Sequence, residues 1–143
     1  MPTLSLSPVS AAVYTALSNT AALTALVSTR IYDDVPQVVA ESLFPFVWYE
    51  VREANLGPFG SSANGPLEVE LRVHAFSTYA GAKQAQQIQD AVIGALKHTA
   101  LTVTGWRQAG RIVYDDAALL PDEDINGLKC RDLVSRFRLW VEI

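Results

Sequence analysis

The sequence predicts an α+β fold in which helices lie on one face of a β-sheet, and three observations predict it. In Leu67-Glu68-Val69-Glu70-Leu71-Arg72-Val73-His74-Ala75-Phe76 the apolar residues at 67, 69, 71, 73 and 75 alternate with polar ones, the pattern of a half-buried strand. After Ser77-Thr78, a cap-like pair, the period becomes helical. Ala85, Ile88, Val92 and Ala95-Leu96 share one side, while Lys83, Gln84, Gln86, Gln87, Gln89 and Asp90 share the other. Near the C-terminus, Leu133, Ser135, Phe137, Leu139, Val141 and Ile143 alternate with Val134, Arg136, Arg138, Trp140 and Glu142, so the odd-numbered face of a long strand belongs to a core. A helix with one apolar side needs the sheet to cover it.

The elements follow in order. Ser7-Pro8 is a helix start, Ser7 as N-cap and Pro8 in the first turn. Val9, Ala12-Val13 and Ala16-Leu17 then form the stripe of a short amphipathic helix. Thr20 caps a further one or two turns carrying Leu23, Leu26 and Val27, which end near Arg30-Ile31-Tyr32. Asp33-Asp34-Val35-Pro36 is a turn or an extended link. Pro45 introduces the strand Phe46-Val47-Trp48-Tyr49-Glu50-Val51-Arg52 at a position where no ladder N–H is lost.

Residues 54–66, rich in Gly, Pro, Ser and Asn, are too many for a tight hairpin, and Phe59 at their centre has no periodic partner. After the long helix, Leu101-Thr102-Val103 and Arg111-Ile112-Val113-Tyr114 are strands around a Gly105–Gly110 bend, with Trp106 over the sheet edge. Asp115-Asp116 opens an acidic loop through Pro121-Asp122-Glu123-Asp124-Ile125, closed by the Asn126-Gly127 turn.

The totals bound the function. At 143 residues the chain suits one domain, residues 1–143, with a real core. It is 50% hydrophobic and only 18% charged, a balance that fits either a well-filled core or apolar surface covered by partners. A net charge of −4 and a pI near 5.0 argue against direct binding of nucleic acid through a basic face. A lone cysteine, Cys130, makes no intrachain disulfide, no apolar run approaches the roughly 20 residues of a membrane span, and the N-terminus lacks a basic signal-peptide region. The chain is expected in a cytoplasm.

No catalytic or metal-binding constellation emerges. Asp122, Asp124, Asn126 and Gly127 match the first half of a calcium loop, but the twelfth position is Leu133 where a bidentate Glu belongs, so a solvated acidic turn is the better reading. His74 falls on the polar face of its strand and His98 just beyond a helix, where the macrodipole accounts for it. Neither is tied by spacing to Cys130 or a carboxylate. Cys130 stands between Lys129 and Arg131 without a nameable base, and Gly57-Pro58-Phe59-Gly60 does not follow a phosphate-loop pattern. No cofactor is expected. With helices on one sheet face only, the other face, carrying Glu68, Glu70, Arg72, His74, Arg136, Arg138 and Trp140, is free for a neighbouring subunit whose opposite charges would pair with it.

Taken together, the short N-terminal helix, the segment Leu26-Val27-Ser28-Thr29-Arg30-Ile31-Tyr32-Asp33-Asp34-Val35-Pro36, then Phe44-Pro45-Phe46-Val47-Trp48-Tyr49, the strand-helix unit Leu67 to Leu96 and the final Arg136-Phe137-Arg138-Leu139-Trp140-Val141 resemble the tail-completion, or tail terminator, family of long-tailed bacteriophages, prophages and gene transfer agents. The resemblance spans the chain from about Val9 to Ile143 and rests on core patterns and turns, with a longer loop at Leu56–Pro66 than the family suggests. It implies a lambda-type tail terminator fold, an antiparallel sheet of about four or five strands with helices on one face.

The resemblance further implies a structural virion protein without enzymatic activity, made in the bacterial host cytoplasm. Such a protein forms a hexameric ring that caps the head-proximal end of the tail tube, ends tube polymerisation and joins tail to head. Its partners would be further copies of itself, the tail tube protein and the head-tail connector or neck proteins, with DNA passing through unbound and no membrane involved. Candidate contact loops are those holding Asn55, Phe59 and Asn64 and the acidic Asp115, Asp116, Asp122, Glu123 and Asp124. The rival readings are a neck or head-completion protein on the connector side, and a small cytoplasmic enzyme or ligand-binding domain using Cys130 or the acidic loop.

Overall fold

The computed structural model describes residues 7–33, 44–53, 67–78, 82–97 and 99–142, apart from 104, 106, 109, 110 and 126. Among the described residues three helices, α1 (Ser7–Ser18), α2 (Ala21–Val27) and α3 (Lys83–Leu96), accompany seven strands. These are β1 (Ile31–Tyr32), β2 (Phe46–Glu53), β3 (Leu67–Ser77), β4 (Arg107–Gln108), β5 (Val113–Leu119), β6 (Glu123–Ile125) and β7 (Leu128–Glu142). The sheet runs β1-β2-β3-β7, and the far side of β7 pairs with β6, β5 and β4 along its length. All pairs are antiparallel except β1 with β2, which are parallel with Ile31 opposite Val47. The α+β architecture is as expected, and the short strands β1, β4 and β6 extend the sheet beyond what alternation reveals. Two or three residues carry no detectable period, and a parallel partner needs a long connection, here residues 33–45.

Register explains the two faces. Val47, Ala75 and Leu133 stand in one row, Tyr49, Val73 and Ser135 in another, and Leu71 opposes Phe137. These odd-numbered residues, Ser135 apart, share one core with Val9, Val13 and Leu17 of α1, Leu23 and Val27 of α2, and Ile88, Val92 and Leu96 of α3. Of the inward positions expected, Val69, Leu71, Val73 and Ala75 of β3, the odd-numbered residues from Leu133 to Val141 of β7, Val9, Ala12, Val13 and Leu17 of α1 and Ala85, Ile88, Val92 and Leu96 of α3 are buried, while Ala16 and Ala95 are half-buried.

Several local expectations are corrected. Ser77 does not cap a helix: the β3 ladder continues through it, opposite Arg131, and its buried hydroxyl donates to the Gln84 side chain. Helix α3 begins only at Lys83, after Ala82. Ser7 lies inside α1 rather than before it, an end shift of one residue. Thr20 is the N-cap of α2, its carbonyl accepting from the Leu23 and Thr24 N–H groups at 3.0 Å, but its Oγ1 donates to the Ala16 carbonyl at 2.9 Å, closing α1 rather than making a side-chain cap. Leu101-Thr102-Val103 is not a ladder strand. The Gln108 side chain accepts from the Leu101 N–H and donates to the Thr99 carbonyl, both at 2.8 Å, Val103 makes a single β-bridge, and Leu101 and Val103 are buried.

The acidic loop opening at Asp115 is also corrected: Asp115 and Asp116 lie within β5, paired to β7, and the chain re-enters the sheet at β6. Gly127 turns the chain between β6 and β7, with Ile125 opposite Leu128 and φ +80°, a conformation that suits glycine; Asn126, the other half of the expected turn, lies outside the described residues.

Candidate functional site: the open face of the sheet

The even-numbered residues of β2, β3 and β7 face away from the helices, and register lays them out in rows. Phe46, Phe76 and Asp132 form one row, Trp48, His74 and Val134 the next, then Glu50, Arg72 and Arg136, then Arg52, Glu70 and Arg138, and last Glu68 beside Trp140. The face therefore has an aromatic end and a charged end.

At the charged end the arginines meet carboxylates of the same chain. Arg52 Nε meets Glu70 at 3.3 Å, Arg72 Nε meets Glu70 at 2.8 Å, and Arg138 reaches Glu68 at 3.4 Å and Asp115 at 2.7 Å. Arg136 holds Asp116 through two bonds, the Nε contact at 2.6 Å. A β-bulge between Tyr114 and Asp116 makes this possible. Tyr114 faces the core beside Phe137, and the extra residue lets both consecutive aspartates meet arginines of β7. Arg72 and Arg136 stand directly opposite each other, and the flanking Glu70 and Asp116 offset that like-charge pair. Arg138 also lies 5.6 Å above the Trp140 ring.

These contacts shift titrations. Hydrogen bonding to Arg136 holds the Asp116 carboxyl below the usual range, and the bonds to Asp116 and Asp115 raise the Arg136 and Arg138 guanidiniums. Burial works to raise Glu70, but the hydrogen bond and charge of Arg72, with Arg52, outweigh it and leave Glu70 lowered. A lowered carboxylate binds fewer protons folded than unfolded. Its stabilisation is full above the ordinary value, about pH 4, and is lost as pH falls through the folded value. Between about pH 6 and about pH 3 the wild-type melting temperature should therefore fall further than that of Glu70→Gln; superimposable profiles from scanning calorimetry would show that Glu70 contributes nothing.

The aromatic end holds a correction. His74 does not sit on a solvated polar face: it is only 8% exposed, and its Nδ1 lies 3.0 Å from both oxygens of Asp132, itself 3% exposed. The imidazole stacks on the Trp48 indole, centroids 3.9 Å apart and planes 10° from parallel, and Phe46 and Phe76 pack beside them. Among the described residues His74 Nε2 and Trp48 Nε1 are buried without a hydrogen-bond partner. Nothing in the spacing of His74 and Asp132, 58 positions apart, announces this pair; only the β3–β7 register brings them together.

Asp122 meets Lys129 at 3.6 Å and Arg131 at 3.3 Å, so side-chain cations occupy the carboxylate that began the calcium-loop pattern. Asp124 is exposed opposite Lys129, and Glu123 begins β6. Among the described residues no three His, Cys, Asp or Glu side chains gather to hold a metal. Cys130 is buried at 1% exposure, unsuited to act as an accessible nucleophile. Asn55, Phe59, Asn64, His98 and Trp106 lie outside the described residues.

Comparison with known proteins supplies what the site geometry alone does not. A family model described as tail completion protein gp17 matches residues 11–142. Among solved structures, a chain of "Virion of native gene transfer agent (GTA) particle" is similar, with 25% sequence identity over 94% of both chains and a TM-score of 0.72. No curated protein matches. With nearly all of its length matched, the chain belongs to the tail completion protein gp17 family, structural proteins of the phage tail and virion rather than enzymes.

Proposed function

We propose that this protein acts as a single domain that assembles into a ring, six copies by expectation, at the head-proximal end of the phage tail tube. There it ends tube polymerisation and joins the tail to the head connector. The observation that carries the reading is the end-to-end likeness to a chain of a gene transfer agent virion, joined to the tail completion family match. The charge distribution agrees with it. DNA would pass the ring without being held, since the net charge is −4 and the arginines of the open face are already engaged by carboxylates of the same chain. The acidic residues Asp122, Glu123 and Asp124, together with Asn55, Phe59 and Asn64, would contact the tube or connector.

Particles produced without the protein test this. Tails of abnormal length, or tails unattached to heads, are the expected result in electron micrographs. Normal tails beside leaking heads would instead place the protein on the connector side.

A further inference from the structure

Two features at opposite edges of the sheet match each other. At one edge, α1 and β1 enclose an open groove of about 690 Å³ whose lining includes Ala11, Tyr14, Ile31, Tyr32 and Tyr49. At the other, β5 is hydrogen-bonded to β7 along one side and ends the sheet among the described strands. The exposed large hydrophobic residues among those described are Tyr14, 44% exposed in the groove, and Leu119, 48% exposed at the end of β5.

Register relates the two. Ile31 opposes Val47, Val47 opposes Ala75, Ala75 opposes Leu133, and Leu133 opposes Leu119. Leu119 and Ile31 thus end the same row. Val47, Ala75, Leu133 and Ile31 all belong to the core under the helices, so Leu119 lies on the helix side of the sheet, as the groove does. A knob and a groove on one register row, on the same face and at opposite edges, are what a head-to-tail contact between copies requires, and such heterologous contacts build rings when the rotation closes.

We propose that the outer edge of β5 in one copy of this chain docks beside β1 of the next copy, with Leu119 seated in the groove against Tyr14 and Ile31. The sheet then continues from subunit to subunit, and two edges that would otherwise invite indiscriminate pairing are consumed. The occupant is a second copy because both halves of the contact are present on one chain. A seven-residue strand against a two-residue strand is small beside the roughly 1,200–2,000 Å² that a stable pairwise interface buries, so isolated dimers are weak and the closed ring, with two contacts per copy, is the species that accumulates. This inference rests on the ring reading above.

Cysteine cross-linking tests it, and Cys130, being buried, adds no background. Ala11→Cys and Leu119→Cys, both at exposed positions, are prepared singly, mixed and oxidised with and without tail tubes. The mixture should give a disulfide-linked heterodimer that neither variant forms alone, and the double variant a ladder ending at the ring. Leu119→Glu should lower the fraction of protein in rings at least tenfold, roughly the loss expected of a central anchor. If wild-type rings are seen by light scattering and microscopy but the mixture does not cross-link, or one variant cross-links to itself, the contact is wrong while the ring reading stands. If no ring forms in solution or on tubes, the ring reading fails and this contact with it.

Discussion

Phe137→Ala should be the most damaging single substitution on the helix side of the sheet. Phe137 is fully buried near the middle of β7, opposite Leu71 on β3, and its ring meets Tyr114 of β5 edge-on at 5.4 Å. It therefore joins three strands under the helices, and β7 is the strand through which β3, β4, β5 and β6 are all tied together. Truncating a buried phenylalanine costs about 3–5 kcal/mol through lost burial and the cavity left behind. Against a typical total of about 5–15 kcal/mol, that is enough to lower the melting temperature by roughly 10–15 °C. Phe137→Leu should recover part of the loss. A calorimetric change within the roughly 0.5 kcal/mol of an ordinary surface substitution would mean that β7 is not the centre of the core.

Removing Asp132 should produce the largest effect on the open face. The carboxylate is buried against His74, so Asp132→Ala leaves an imidazole under Trp48 with neither ring nitrogen satisfied by the described residues. Breaking one member of a buried pair costs about 3–5 kcal/mol, whereas replacing both with apolar groups of similar size is often close to neutral. Denaturant unfolding should then show Asp132→Leu with His74→Phe to be more stable than Asp132→Ala alone. Additive losses across that double-mutant cycle would show that the two residues do not act as a unit.

The two experiments also divide what could be read along the chain from what could not. Phe137 was legible as core because Leu133, Phe137, Leu139 and Val141 recur at odd positions of β7, with arginines on either side of Phe137. Asp132 was not, since an aspartate one position before that run has no local mark of burial; its partner comes from β3, far away in sequence. The same contrast separates α3, whose apolar stripe stands out at every turn, from β5. Two adjacent aspartates in Val113–Leu119 carry the composition of a loop, and they tolerate a strand only because the arginines of β7 stand opposite them. The tail-completion resemblance survived these errors because it rests on core patterns spread over most of the chain.

By itself, then, the sequence determined which residues of the long elements point inward, the α+β class, and helices confined to one sheet face. Periods of 2 and 3.6 are local properties, and hydrophobic burial selects the face they define. Tertiary structure decided the partners: the bulge that turns Asp115 and Asp116 toward Arg138 and Arg136, the burial of His74 with Asp132, and the row that places Leu119 level with Ile31. Each depends on inter-strand register, which is set by packing between segments distant in the chain and leaves no periodic mark in any one of them.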